Sequence, residues 1–308
     1  MLSLIRLTLI SLLAASVPVQ QDRDGGQFTI AVDVDLVVFN ITVTDSRGRE
    51  ISGLKAADFE VYEDGHIQNI KLFRAEDVPA TVGLIIDNSG SMREKRPDVM
   101  KAAVAFVNAS NPSDEMFVMD FNENVYSGLP PSIPFTNDAG VIRAALMKTP
   151  SSGLTALYDA LAAGIEHLKK GTRDRKALVL LSDGGDNASH RKLEDVLQLA
   201  QRSSATIYTI GIYDETDADR NPGVLKKIAA QSGGRAYFPE SLNDLDHVWR
   251  NIAGRIRSQY TIGYSPTNST RDGTLRRVKI SATRNGGGSL RVSTRAGYLA
   301  PADKALPK

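Results

Sequence analysis

The 308-residue sequence contains no cysteine. Disulfide bridges, thiolate metal sites and lipid attachment through cysteine are therefore excluded, and this absence assigns no compartment. Histidine is scarce: His66, His167, His190 and His247 are scattered without ligand spacing and read as surface residues. Neither sign of charge is in excess, with 37 Lys and Arg against 36 Asp and Glu. Nothing in that balance points to nucleic acid or to an anionic membrane surface. Long apolar runs are missing as well. The nearest to one, Leu7 to Ala15, is short for a membrane span.

That short run carries information of its own. Met1-Leu2-Ser3-Leu4-Ile5-Arg6 is a brief basic start, and Ala14-Ala15-Ser16 offers small residues for cleavage. Residues 1–16 thus read as a secretory signal peptide rather than an uncleaved anchor. The mature chain is expected to begin near Val17, outside the cytoplasm, secreted or periplasmic, with no integral membrane span. Residues 17–26 are polar and read as a linker.

The remainder has the composition of a globular protein with a real core, 42% hydrophobic and 24% charged. Residues 27–79 form an N-terminal β segment. Phe28 to Thr44 changes apolar phase near Leu36, which predicts two strands or a bulge. Asp64-Gly65 predicts a hairpin turn between Phe59–Tyr62 and a strand over Ile67–Phe73. From 80 to 257 strands and helices alternate. Strands are expected at 81–86, 116–121, 177–182 and 206–212. Helices are expected at 96–108, 138–147, 155–169, 190–203, 222–231 and 242–257. Near-continuous apolar strands between helices imply a parallel sheet covered on both faces. Residues 258–300 return to strands at Gln259–Tyr264, Leu275–Thr283 and Ser289–Thr294, and 301–308 is a tail.

Neither β segment has enough strands to stand alone. The fold class expected is therefore α/β, a doubly wound, mostly parallel sheet inserted in one β-sandwich that both ends build. Trp249 and Tyr260 are expected to fill the junction between the two parts.

The chemistry concentrates at strand ends. Asp87-Asn88-Ser89-Gly90-Ser91 follows the apolar run Thr81–Ile86 and sets three oxygens at every second residue. Thr155 opens a predicted helix, and Asp183 follows the apolar run Leu178–Leu181. In an open parallel sheet such residues meet only at the carboxyl ends of the strands, where strand order reverses. Hydroxyls and carboxylates together suit a hard divalent cation. Taken singly, Ser89, Ser91 and Thr155 could be helix caps and Asp183 a turn residue. Asp159 is a lesser candidate, explained as well by a helix dipole, and Asp186 one that supports the Asp183 loop. The acidic stretch Asp214–Asp219 lacks the EF-hand pattern and reads as a solvated loop.

Asp-x-Ser-x-Ser, then a Thr, then an Asp after an apolar strand, resembles the metal-ion-dependent adhesion site of von Willebrand factor type A domains. All five positions are present in order, and the likeness spans about 80 to 256. It implies that Ser89, Ser91 and Thr155 touch the ion, with Asp87 and Asp183 mainly behind them. Mg²⁺ or Mn²⁺ suits such neutral oxygen ligands. A protein partner's Asp or Glu carboxylate would be the last ligand. Integrin-type proteins likewise insert such a domain into a β-sandwich. The whole chain also resembles secreted bacterial proteins with a related domain, through Val43-Thr44-Asp45, Gly53-Leu54, Asp58-Phe59 and Glu63-Asp64-Gly65, then Gly263-Tyr264, Asp272-Gly273 and Gly297-Tyr298.

The expected function is a secreted, metal-dependent protein-binding module for adhesion or scaffolding, not an enzyme. A structural envelope domain with a silent metal site is the alternative. A phosphatase of the Asp-x-Asp type is disfavoured because Ser89 stands where its general acid belongs. A serine hydrolase lacks its Gly-x-Ser-x-Gly elbow.

Overall fold

The computed structural model describes residues 36–75, 77–213, 219–284 and 290–302. The expected signal peptide, the linker and the strand before Leu36 lie outside these residues. Residues 214–218 of the acidic stretch do so as well.

Six strands make the central sheet: β5 (Ala80–Asp87), β6 (Glu115–Phe121), β7 (Val125–Ser127), β8 (Arg175–Ser182), β9 (Thr206–Gly211) and β10 (Ala236–Tyr237). Their order is β10-β9-β8-β5-β6-β7, parallel except for β7. β5 is buried along its whole length, as a strand covered on both faces must be. The cover comes from α1 (Arg96–Ala109), α2 (Ala139–Leu146), α3 (Leu157–Leu168), α4 (Leu193–Arg202), α5 (Pro222–Gln231) and α6 (Leu245–Arg257). From β5 the chain steps outward to β6, then returns to the other side of β5 as β8. Strand order therefore reverses at β5 and β8, and a crevice opens at their carboxyl ends.

The two β segments form two four-stranded antiparallel sheets. One runs β13-β1-β11-β4, from β1 (Val37–Thr44), β4 (Ile70–Arg74), β11 (Tyr260–Tyr264) and β13 (Arg291–Ser293). The other runs β14-β12-β2-β3, from β2 (Phe59–Glu63), β3 (His66–Gln68), β12 (Leu275–Ala282) and β14 (Gly297–Leu299). Each joins strands from both ends of the sequence. Phe39 and Ile41 of β1, Val61 of β2, Tyr260 and Ile262 of β11 and Ile280 of β12 share one buried core. The α/β unit thus sits within a sandwich that both ends build. Burying the shared faces is what offsets the entropy of ordering strands that neither end could hold alone.

Asp64 and Gly65 turn the β2–β3 hairpin with φ of 47° and 86°, the left-handed pair that Asp-Gly favours. The strand read over Ile67–Phe73 is two strands. It breaks at Asn69, and its halves join different sheets, β3 against β2 and β4 against β11. Trp249 and Tyr260 do not fill a junction. Trp249 packs on Phe106 at 5.1 Å in the α/β core, and Tyr260 packs on Phe59 at 5.2 Å in the sandwich. His167 is not a free surface residue either: its ring lies 4.3 Å from that of Phe117.

Polar ties join the two parts. Arg175, at the start of β8 and 1% exposed, donates to Ile256 O at 2.9 Å and Gln259 O at 2.8 Å, where α6 ends without intrahelical partners. Arg295 lies 4.7 Å over Phe39 and donates to Ser203 O at the end of α4.

Candidate metal centre

β5 ends in Asp87 and β8 ends one residue before Asp183, so neighbouring parallel strands bring the two carboxylates to one crevice. Both are buried, at 1% and 2% exposure. Asp87 accepts from the Ser89 backbone N–H at 2.9 Å and from Ser182 Oγ at 2.6 Å. Asp183 accepts from Ser91 Oγ at 2.6 Å and from the Gly185 N–H at 2.9 Å. The hydroxyls of Ser89 and Ser91 lie 3.1 Å apart.

Ser89 precedes a single turn of 3₁₀ helix, Gly90–Met92, but its side chain caps nothing. Thr155 does not open a helix. α3 starts at Leu157, behind an Ala156 with no side-chain cap. The orphan N–H of Tyr158 is met instead by Asp186 Oδ1 at 3.2 Å and by Ser189 Oγ at 3.1 Å. Capping thus accounts for neither Ser89 nor Thr155. Thr155 is held by its backbone: its N–H donates to Asn187 Oδ1 at 2.8 Å, and its carbonyl accepts from the Asn187 and Ala188 N–H groups at 3.0 Å each. The adjoining Gly153 carbonyl accepts from the Gly90 N–H at 3.2 Å. The structure therefore gathers Asp87, Ser89, Ser91 and Asp183 into one hydrogen-bonded cluster and lays the Thr155 loop against it.

Asp159 lies apart from this cluster. It accepts from the His190 and Arg191 N–H groups at 2.9 and 3.2 Å. Asp186 caps α3 rather than supporting the Asp183 loop.

Burial, reinforced by the charge of Asp183, pushes the Asp87 carboxyl up to about 6. Two carboxylates buried side by side ionise together only at a cost, which a bound cation would offset. A cation also suits the hydroxyls. Ser91 spends its one proton on Asp183 and so accepts from Ser89 Oγ at 3.1 Å, which leaves it one further lone pair for another partner. The donor set fits a hard divalent ion. Among the described residues no group of three His, Cys, Asp or Glu side chains is placed to hold a metal, so a site here depends on hydroxyls.

Four contributors are invisible in the motif. Ser182 orients Asp87. Asn88, 1% exposed, donates its N–H to Phe121 O at 2.6 Å and accepts at its own carbonyl from Ser152 N–H at 2.9 Å. Arg96 donates to Asn88 Oδ1 at 2.5 Å, Ser151 Oγ at 3.2 Å and Leu146 O at 2.5 Å, lacing both loops together. Asp120 stands beside it, fully buried. The polar residues within the apolar strand 116–121 and at the head of α1 were the available signals.

These features define an α/β domain with a hydroxyl and carboxylate site at its topological switch. The von Willebrand factor type A domain family profile matches residues 82–251, and the chain belongs to that family. It is 28% identical over 185 residues, 58% of this chain, to an uncharacterized protein of Synechocystis sp.. The match spans 42% of that relative's length. Its fold is similar to a von Willebrand factor type A protein from Catenulispora acidiphila, with TM-score 0.52 and 15% identity, covering 88% of this chain and 76% of that one. It is also similar to proximal thread matrix protein 1 of the mussel byssus, with TM-score 0.51 and 15% identity, covering 63% and 51%.

Proposed function

We propose that this chain is a protein-binding module of adhesion or scaffold type, secreted or periplasmic, that docks a partner's Asp or Glu carboxylate at a Mg²⁺ or Mn²⁺ ion. The observation that carries this reading is the coupling of Ser91 Oγ to Asp183 Oδ2 at 2.6 Å beside the buried Asp87. Ser89, Ser91 and Thr155 would hold the ion, with Asp87 and Asp183 neutralising it from behind. A bound divalent ion supplies an electrophilic coordination position to which a carboxylate adds. Ser182 Oγ and the Ser89 N–H each donate to Asp87 and so hold its carboxylate in one orientation. Ser91 is exposed while Ser89 and Thr155 are buried, which leaves an incoming ligand one open side. No helix among the described residues is long and apolar enough to cross a membrane.

The proposed role is binding rather than catalysis because Ser89 stands where an Asp-x-Asp phosphatase needs its general acid, and a serine hydroxyl is too weak an acid to serve at neutral pH. The test is affinity capture from native envelope extract in Mg²⁺ and in EDTA. A protein retained by wild type in Mg²⁺, and released by EDTA at an ionic strength where salt alone does not release it, supports docking through the ion. Retention that EDTA leaves unchanged would transfer the reading to a structural domain with a silent site.

A further inference from the structure

Three consecutive residues, from the last of β6 into the turn that follows, each accept a hydrogen bond from a loop of the candidate metal centre. Phe121 O takes the Asn88 N–H at 2.6 Å, Asn122 O takes the Ala156 N–H at 2.7 Å, and Glu123 Oε2 takes the Leu154 N–H at 3.0 Å. The first grips the Asp87–Ser91 loop, and the other two bracket Thr155 on either side. Two of the three acceptors are backbone carbonyls, one in the last residue of the strand and one in the residue after it. The third is a side chain on the exposed turn between β6 and β7, and the turn is itself fixed by Asn122, which bonds Asn124 through N–H to O at 3.0 Å and accepts its N–H at Oδ1 at 2.9 Å.

The seat of that carboxylate is Gly153. Its φ is +81°, a conformation costly for any residue with a Cβ. A Cβ built there would fall on the Glu123 carboxylate. The same glycine gives its carbonyl to the Gly90 N–H. Glu123 and Gly153 therefore fit together as a latch, pressed against both candidate ligand loops at once.

We infer that Glu123 is a positioning residue: through the Leu154 N–H it holds the loop that sets Thr155 against Ser89 and Ser91. The inference rests on the metal site proposed above. The latch itself does not depend on an ion being bound, so the two can fail separately. The interaction that matters is acceptance of the N–H, which an amide oxygen supplies as well as a carboxylate. Glu123 is exposed, so replacing it leaves the core intact.

The experiment is calorimetric titration of the purified protein with Mn²⁺ for wild type, Glu123→Ala, Glu123→Gln and Gly153→Ala. Backbone amide exchange across residues 152–156 is measured in EDTA on the same proteins. Loss of one such hydrogen bond is expected to weaken Mn²⁺ about three- to tenfold in Glu123→Ala and to speed exchange of the Leu154 amide by a similar factor. Glu123→Gln should return both to within about twofold of wild type, and Gly153→Ala should reproduce the alanine variant. Wild-type affinity and exchange in Glu123→Ala would overturn the inference. A glutamine variant as weak as alanine would overturn it too, because charge and not positioning would then be at work. If wild type takes no Mn²⁺, the metal reading falls, and exchange alone decides the latch. Faster exchange in Glu123→Ala sustains it, and unchanged exchange ends it.

Discussion

Ser91 Oγ donates to Asp183 Oδ2 at 2.6 Å, joining the loop after β5 to the loop after β8 across 92 residues of sequence. Ser182 Oγ makes the matching bond to Asp87 Oδ2, also at 2.6 Å, one layer deeper. Each buried carboxylate therefore has a serine proton aimed at it, and the acids are organised before any ion arrives. Preorganised ligands spend less of their binding energy on ordering.

Asp183→Ala removes one acid and frees the Ser91 hydroxyl. Mn²⁺ affinity measured by calorimetry is expected to fall at least tenfold, about 1.4 kcal/mol. The fold should survive, because the like charge beside Asp87 is gone. Wild type in saturating Mn²⁺ should melt higher than in EDTA, by about 2.7 kcal/mol of stability at a hundred times Kd, and Asp183→Ala should gain about 1.4 kcal/mol or less at the same Mn²⁺ concentration. An unchanged titration of the variant would remove Asp183 from the site.

Thr155→Ala separates the site from the fold. The Thr155 backbone bonds to Asn187 and Ala188 remain, so the loop keeps its path. Its hydroxyl caps no helix, and unfolding stability in EDTA should change by less than about 1 kcal/mol. Capture of a Mg²⁺-dependent partner should drop far more. A partner held equally by the variant would place docking elsewhere.

Much of this site can be read from the sequence because its signals are local. Asp87, Ser89 and Ser91 are spaced along one loop, and the apolar runs before Asp87 and Asp183 announce buried strands. What escapes is whatever depends on distant partners. Ile67 to Phe73 looks like one strand because apolar residues do not encode which sheet will take them. Thr155 looks like a helix start because nothing nearby announces that Asp186 and Ser189, some thirty residues on, will cap α3 at Tyr158. Arg96 and Asp120 are silent in a linear reading, since each acquires meaning only from the other and from Asn88.

Glu63 tests the sandwich. It lies at the end of β2, 2% exposed, and Oε2 accepts from Tyr264 OH at 2.7 Å and Tyr298 OH at 2.9 Å, both from the C-terminal segment. Burial and the nearby carboxylate push both phenols up. Tyr264→Phe and Tyr298→Phe should each cost about 1–3 kcal/mol, the penalty for leaving a buried acceptor short of a partner. Urea unfolding followed by tryptophan fluorescence and by far-ultraviolet dichroism would read this. Midpoints that stay put in both variants would mean that Glu63 does not hold the two segments together.

Asp120 should make metal-free stability depend on pH. Burial pushes its carboxyl up to about 7, against the opposing pull of Arg96. In the unfolded chain it titrates near the ordinary value of 3.8. Between these values the folded state holds the extra proton, so this contribution to stability is complete below about pH 4 and is lost as pH rises toward 7. The slope reaches at most about 1.4 kcal/mol per pH unit, one proton's worth. Asp120→Asn keeps an oxygen for Thr149 Oγ1 and for the face of Arg96 but cannot titrate. Arg96 keeps its bonds to Asn88, Ser151 and Leu146. Asp87 titrates in the same range but is common to both proteins, so the difference between their urea midpoints from pH 4.5 to 8 in EDTA isolates Asp120. The variant should gain on wild type steadily as pH rises and level off above about pH 7. Parallel curves would show that Asp120 is already ionised at the bottom of that range, paired closely enough with Arg96 to offset its burial.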